Sequence, residues 1–533
     1  MTGDRLPSPD NLIKLERGGM PVQVITRRQI ELMGSRRLDE VLKEQTGIAI
    51  VSNIGGGNRS VGVQLQGFGS EYVMIFIDGQ PVVGRNNGNF DLSRISVTNI
   101  ERIEIVKGAS SCLFGSEAMG EAINIITRHG ALEPQALASV SYGSLHIVDA
   151  TLEGETPFHH QRGSASLSAN FYRTDGFNTN PYLKSGVTSS PYDNLSLQAR
   201  LRYRVGKNST AGASVRYGLR KSRMPKDWGD GRVSGDSQDE HDFNASLTFD
   251  HEFRSGLRAM SRYYYTRYRT DEQIRWGNAG TTAGQQAFVQ DVNRLEQQFA
   301  YRLSNGISLT GGLGASLETM HDRAFEGAKH LATGFGYVQG DWLIRDKVNL
   351  LGGVRYDHTD SYGGKLNPSF GIQYHLTPTL TLKTGVGTGF KAPDFRMRYL
   401  VFFNPAANYL VIGNDLLKET LDRMQAGGQI SEIRHYIVNQ LDQRLKAERS
   451  TSYNAGAAWK FTSWGTLEAG GFYHSLRDQI NPVMVATGTG ISQIYSYQNL
   501  PKAVNKGVEA TLSIKLKNGL EVSSGYQYLL PAT

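Results

Sequence analysis

Few side chains in this chain of 533 residues are suited to covalent chemistry, and none is suitably spaced. Cys112 is the only cysteine, so it can neither close an internal disulfide nor build a cysteine-based zinc site. Gly385-Val386-Gly387-Thr388-Gly389-Phe390-Lys391 is glycine-rich, but its spacing is not that of a phosphate-cradling loop and it falls within a strand-like run. There is no nucleophile elbow, zinc helix motif or EF-hand loop, so catalysis is not expected. What remains is chemistry for holding a ligand. Gly84-Arg85-Asn86-Asn87-Gly88-Asn89 places a guanidinium and amides in a glycine-rich loop between two strand-like runs, where an ordinary loop would simply be solvated.

The elements around that loop read as a small mixed α/β unit over 21–130. Pro21-Val22-Gln23-Val24-Ile25-Thr26 is strand-like, and Thr26 with Gln29 forms a capping-box pattern before a helix that Gly34 ends. Leu38, Val41 and Leu42 give a second helix one apolar stripe, with Gly47 as its stop. Val63–Gln66, Val73–Ile77, Ile100–Val106 and Ile123–Ile126 read as strands, and Asp78-Gly79 as a tight turn.

From 131 to 533 the pattern is monotonous. About seventeen runs of roughly 9 to 13 residues alternate apolar with polar or small side chains, the length of a tilted membrane-spanning strand. Leu195-Ser196-Leu197-Gln198-Ala199-Arg200-Leu201-Arg202-Tyr203 is one of them. Short connections near 206–208, 254–256, 304–306, 345–347, 463–465 and 517–519 alternate with longer polar ones near 173–192, 219–240, 269–292, 320–331, 390–449 and 478–498. That rhythm predicts an up-and-down transmembrane barrel rather than a propeller, which would repeat one motif at a fixed period. Tyr263-Tyr264-Tyr265 and Tyr268 are placed to serve as an interfacial girdle. No 18-residue apolar run exists, so no transmembrane helix is expected, and a mean hydropathy of -0.38 suits alternating strands. The 61 glycines, 25 tyrosines and 21 phenylalanines also suit a barrel. The net charge of +7 is spread without a basic tract, which argues against nucleic acid and leans toward an anionic surface or ligand.

Four segments of the first unit resemble, in order and spacing, the plug of TonB-dependent outer-membrane receptors. They are Val63-Gln64-Leu65-Gln66-Gly67-Phe68, Ile77-Asp78-Gly79-Gln80-Pro81, Ile100-Glu101-Arg102-Ile103-Glu104-Ile105-Val106-Lys107-Gly108, and the stretch from Leu113-Phe114-Gly115 to Ile126-Thr127. The resemblance implies a mainly β fold: a small α/β plug inside a large antiparallel barrel of 22 strands, consistent with a plugged lumen at that strand number. It implies energy-coupled uptake of a siderophore, haem, cobalamin or similar ligand in the outer membrane of a Gram-negative cell. It also implies an inner-membrane TonB complex as partner, a small metal chelate as ligand, outer-membrane lipids as surroundings, and a monomer. No cofactor is expected beyond the iron or cobalt that the ligand carries. Glycines at 67, 69, 79, 108, 115 and 120 would give the plug its tight turns and close approaches. By the same resemblance, ligand recognition falls where plug apex meets barrel loops, which makes Arg85, Asn86 and Asn87 ligand-binding candidates.

In the barrel, Phe390-Lys391-Ala392-Pro393 and Asn414-Asp415-Leu416-Leu417-Lys418-Glu419 resemble two boxes of haem receptors. Those receptors carry a ligating histidine between the boxes, yet 394–413 contains none and neither does 21–128, which weakens the haem reading. His435, beside Tyr436, is the remaining imidazole candidate and Tyr409 the oxygen alternative, although a loop histidine is usually just solvated. His159-His160 falls in a predicted periplasmic turn, and His321 and His330 flank another loop. The ligand is expected to be an iron-siderophore or haem type, with cobalamin as the alternative. A passive porin or adhesin, and a soluble β-rich enzyme, are the rivals from other classes; a plug argues against the first.

Met1-Thr2-Gly3-Asp4 resembles the tail of the Val-Val-Thr-Gly segment that follows the TonB box in this family, and no apolar leader accompanies it. Residues 1–20 are therefore expected to extend from a box and an export signal upstream of residue 1. Seventeen is an odd strand number, so about five further strands, on the order of 100 residues, are expected beyond Thr533.

Overall fold

The computed structural model describes residues 22–533 apart from 54–59, 87, 109–114, 116–118, 129–130, 132, 179, 183–186, 228–232, 278–280, 305, 405–407, 442–443 and 533. Asn87, Cys112, the extension 1–20 and Leu113-Phe114 thus lie outside the described residues.

In the first unit, Thr26 accepts from the Gln29 amide at 3.4 Å while the Gln29 side chain accepts from the Thr26 amide at 2.8 Å. This reciprocal cap starts the helix Arg27–Met33, which ends at Gly34 with φ +68. The second helix, Leu38–Lys43, buries Leu38, Val41 and Leu42, but it stops four residues before Gly47. Five strands form one sheet in the order Val22–Thr26, Ile100–Val106, Glu121–Thr127, Val73–Ile77, Gln80–Pro81. Only the pair Val73–Ile77 and Glu121–Thr127 is parallel. Ile75, Ile103, Ile105, Ile123 and Ile125 are buried with both helices in one core. Each such side chain contributes about 1.5–3 kcal/mol relative to exposure.

The rest of the chain builds one antiparallel sheet of 17 strands, from Gln135–Tyr142 to Glu521–Ala532. Among the described residues those two outermost strands are not paired with each other. Alternation sets the two faces. In Arg258–Trp276, Met260, Arg262, Tyr264, Thr266, Tyr268, Thr270 and Glu272 point inward and are buried. Outward-facing Leu197, Leu201, Val215, Leu247, Phe249, Leu295, Leu313 and Val338 are exposed, an apolar surface that only lipid would cover. Aromatics border it. At the tight-turn rim Phe158 stacks on Tyr203, and Trp459, Phe461 and Trp464 form a chain of rings. The opposite rim has Tyr217, Phe243 and Tyr265, with Phe243 against Tyr265. Tyr263 and Tyr265 belong to the outer face as expected. Tyr264 and Tyr268 do not: period two turns them into the lumen, where they are buried.

A second difference concerns the long connections. The stretches 219–240 and 269–292 are not loops. They are the upper halves of two hairpins, Ser209–Asp227 with Val233–Glu252 and Arg258–Trp276 with Thr281–Arg302. Strands of 19 to 22 residues are about twice what a crossing needs. Their outer halves carry polar side chains on both faces, with inward-facing Ser234, Asp236, Gln238, Glu240, Thr270 and Glu272 buried, so no apolar alternation marks them as strands. Two connections at that rim, 143–147 and 360–362, are short and escape the expected list.

The stretches 392–447 and 478–502 do not remain loops either. They fold together into a cap with its own five-stranded sheet, in the order Val401–Asn404, Tyr409–Ile412, Gln493–Leu500, Gln479–Gly488, Ile430–Ile433. Helices Leu417–Ala426 and His435–Gln440 cover it, and Ile412, Leu421, Val485, Ala486 and Ile494 are buried in its core.

Candidate functional site

The first unit sits within the curve of the barrel and is tied to its wall on many sides. Arg94 donates to Asp242 at 2.7 Å, Tyr72 to Glu448 at 2.7 Å and Lys107 to Glu509 at 2.6 Å. Gln66 and Ser452 flank the buried His474 at 2.9 Å each, and Arg200 meets Asp78. These links are polar because the inward face of the barrel is polar, and each charge carries its desolvation cost only while its partner stays in place.

At the long-connection end, the apical turn of the plug meets the wall and the cap. Gly84, at φ +94, lies flat against the Tyr268 ring; an added Cβ would stand 2.3 Å from the ring carbon. Its amide donates to Gln290 at 3.0 Å and its carbonyl accepts from Arg94 at 2.9 Å. Arg94 in turn lies 4.3 Å over the Tyr268 ring. Val83 joins Tyr268, Phe288, Met320 and Phe325 of the wall and Phe395 of the cap in one apolar cluster.

Arg396 crosses that junction. It belongs to a short helix, Phe395–Tyr399, which Asp394 caps by accepting from the Met397 amide at 2.8 Å. Its Nε donates to Asp322 of the wall at 2.7 Å, its Nη1 donates to Asn86 of the plug at 3.0 Å, and its guanidinium lies 4.6 Å over Phe288. Arg398 pairs with Asp415 at 2.9 Å and stacks 4.6 Å over Tyr399, which Lys329 of the wall faces at 4.6 Å. Burial pushes the Tyr362 phenol beside Arg398 up to about 12, so it remains a neutral donor at neutral pH. Arg396, Arg398 and Lys329 thus lie among aromatic rings where the cap meets the wall, with Arg396 reaching the plug apex and the two arginines paired with Asp322 and Asp415. This arrangement suits a bulky, flat-faced or aromatic ligand that carries negative charge.

The sequence candidates are scattered over this region. Arg85 has a structural duty that its loop gave no hint of: it donates to the carbonyls of Ser70 at 2.5 Å, Val73 at 2.6 Å and Gly88 at 3.2 Å. Asn86 is buried and accepts from Arg396. Tyr409 lies inside the cap sheet, accepting from Asn404 at 3.3 Å. His435 and Tyr436 begin a helix on the cap's exposed surface, and Tyr436 is 77% exposed. His321 and His330 are exposed on the outer face of the wall, and His159-His160 lies in a turn at the opposite rim. The two box-like segments are structural. Phe390 is buried where its strand leaves the barrel, Lys391 lies 5.0 Å over Tyr72, and Asn414 donates to the Leu441 carbonyl at 3.3 Å. Arg396, Arg94, Asp322 and Phe288 carry no such box or loop signal in the sequence, and Tyr268 reads there as part of an interfacial girdle rather than of the site. The local signal for this cluster is the alternation Phe395-Arg396-Met397-Arg398-Tyr399, which interleaves cations with aromatic and apolar side chains.

Two plug carboxyls are perturbed. Burial raises Glu121 well above the carboxylate range, opposed by nearby Lys107 and the Gly108 backbone. Burial, then the charges of Glu40 and Asp91, raises Asp39 to about 7.

Residues 144–533 match the family described as TonB dependent receptor-like, beta-barrel, and residues 14–121 match the TonB-dependent Receptor Plug Domain. The vitamin B12 transporter BtuB of Vibrio vulnificus is 28% identical over 391 residues, 70% of this chain and 60% of that protein. The ferric enterobactin receptor of Pseudomonas aeruginosa is 23% identical over 604 aligned residues, covering 96% of this chain and 75% of that one. The chain spans about 60% of the length of the B12 transporters it matches. Among solved structures, a ferric enterobactin receptor (PfeA) superposes with a TM-score of 0.76 at 18% identity, covering 96% of this chain and 80% of that chain. The siderophore receptor PirA of Acinetobacter baumannii does so with 0.71 at 17%, covering 96% and 80%.

Proposed function

Because the chain belongs to the family of TonB-dependent outer-membrane receptors, we propose that it imports a bulky anionic iron chelate of the siderophore type, drawn through the barrel by an inner-membrane TonB complex. The family assigns the tight-turn rim to the periplasm and the cap to the outside. The observation that carries the reading is Arg396, which joins cap, wall and plug apex through Asp322 and Asn86. An anionic ligand seated there competes for the guanidinium, and so acts on the plug through Asn86. A second line of support comes from the relatives. Relatives that match 95–96% of this chain include an iron-regulated outer membrane virulence protein of Vibrio cholerae and the ferric enterobactin receptor, whereas these B12 transporters match 70–71%. The cations over the plug apex favour an anionic chelate over cobalamin. The structural use of Asn414 and Lys391, and the lack of histidine in 394–413, count against haem. A plug tied to the wall on many sides counts against a passive pore.

The test is uptake by a receptor-deletion strain complemented with wild type or Arg396→Ala. Radio-iron as ferric enterobactin and labelled cyanocobalamin are supplied in separate arms. Wild type should take up the iron chelate, and Arg396→Ala should lose at least about tenfold of that uptake, the scale of one charge-assisted contact of about 1.5–3 kcal/mol, while assembling normally in the membrane. Uptake of cyanocobalamin alone would overturn the siderophore assignment.

A further inference from the structure

A second group of cations lies in the lower, periplasmic half of the lumen, away from the mouth. There the plug turn Asp78-Gly79 and the following Gln80 face the wall across a cavity of about 60 Å3. Arg200 and Arg202 of Tyr192–Arg204, Arg216 of Ser209–Asp227 and Arg262 of Arg258–Trp276 line it. The carboxylates beside these four guanidiniums are shared: Asp78 is engaged by Arg200 and by Thr127, whose amide and hydroxyl donate to it at 2.9 and 2.8 Å, and Arg262 stands across the ladder from Glu296, which Arg294 also holds at 3.3 Å. Arg216 shares Asp242 with Arg94.

Two side chains there have unused polar atoms. Gln80 is 5% exposed, and both atoms of its amide lack a partner among the described residues. Arg262 is 3% exposed, and its Nη2 lacks one too. A buried donor left unmade costs about 1–3 kcal/mol. The cavity has room for about four waters, which would satisfy the donors but leave the charge unbalanced. A monoprotonated oxyanion satisfies both: its oxygens accept from Arg262 and the Gln80 Nε2, and its O–H donates to the Gln80 Oε1.

We infer that this cavity is a binding site for a small inorganic oxyanion of the hydrogen-phosphate class, which staples the Asp78–Gln80 turn of the plug to arginines on three strands of the barrel wall. Occupied, it gives the plug a further tie to the wall at the periplasmic half. Its strength would follow the oxyanion concentration rather than ligand binding at the mouth.

The experiment is hydrogen exchange of the backbone amides of residues 78–82 in the full receptor, purified in detergent. It is run with millimolar inorganic phosphate and with chloride at matched ionic strength. Phosphate should slow exchange of this turn several-fold in wild type, while amides of the cap are unaffected. Arg262→Gln should abolish the effect. Should that variant fail to assemble, Gln80→Leu reads the same site from the plug side and should weaken it. Equal exchange in phosphate and chloride, or an undiminished phosphate effect in an assembled Arg262→Gln or Gln80→Leu receptor, would overturn the inference. Neither outcome depends on which chelate the mouth accepts, so this site and the proposed uptake function stand or fall separately.

Discussion

Asp39 shows how a single group couples the plug to pH. It lies in the first turn of the helix Leu38–Lys43, its Oδ1 has no partner among the described residues, and burial followed by the Glu40 and Asp91 charges raises it to about 7. An unfolded aspartate titrates near 4. The folded form therefore binds the proton more tightly, and the stability this brings is complete below about pH 4. It is lost progressively as pH rises through about 7. Asp39→Asn, which keeps the shape without the charge, should make plug stability flatter across that window. The variant should be the more stable of the two at pH 8 and differ little at pH 4. Exchange rates of the Val41 and Leu42 amides at the two pH values would measure this. A wild-type plug that grows more stable between pH 5 and 8, with the asparagine variant unchanged, would contradict it.

At the scale of elements, the cap behaves as a small domain with its own core. Leu421 is 2% exposed on the helix Leu417–Ala426, packed with Ile412, Val485 and Ile494. Leu421→Ala should cost the cap about 2–5 kcal/mol, the range for a leucine-sized cavity, with little cost to the barrel, whose ladder shares none of that packing. Limited proteolysis should therefore cut the variant within 401–440 at protease levels that spare both wild type and the variant's barrel. Topology can be checked by thiol labelling of intact cells. Tyr436→Cys, on the exposed cap helix, should label, and Asn518→Cys, in a tight turn of the opposite rim, should not. Asn414 would be a poor reporter because it is buried at 8%. Labelling at 518 from outside would invert the barrel.

At the scale of the whole molecule, two structures of unequal strength are nested. The barrel is a continuous backbone ladder, while the plug is a small core held to the wall by ion pairs and side-chain hydrogen bonds. The purified receptor in a planar bilayer should conduct little. Moderate urea should open it reversibly, at concentrations well below those that unfold the barrel, because urea weakens plug packing and polar ties first. Large conductance without urea would favour a passive pore.

Much of this was written locally in the chain. The capping box at Thr26, the glycine stop at 34, the period-two strands and the tight turns each depend on residues a few positions apart, so about seventeen strands and a small mixed α/β unit could be read from spacing, and the resemblance made that unit a plug. The same local logic misled where both faces of an element carry polar side chains. The upper hairpins around 219–240 and 269–292 alternate nothing and read as loops, although their backbone pairing continues into water. What the sequence did not disclose is non-local. Tyr409–Ile412 pairs in parallel with Gln493–Leu500, which makes two loops into one cap. Arg396 meets partners 74 and 310 positions away in the chain. Arg85 in a polar loop looked free to bind a ligand until the fold brought the Ser70 and Val73 carbonyls to it. Periodicity determines which face a side chain takes; only closure of the tertiary structure decides which residue waits on the other side.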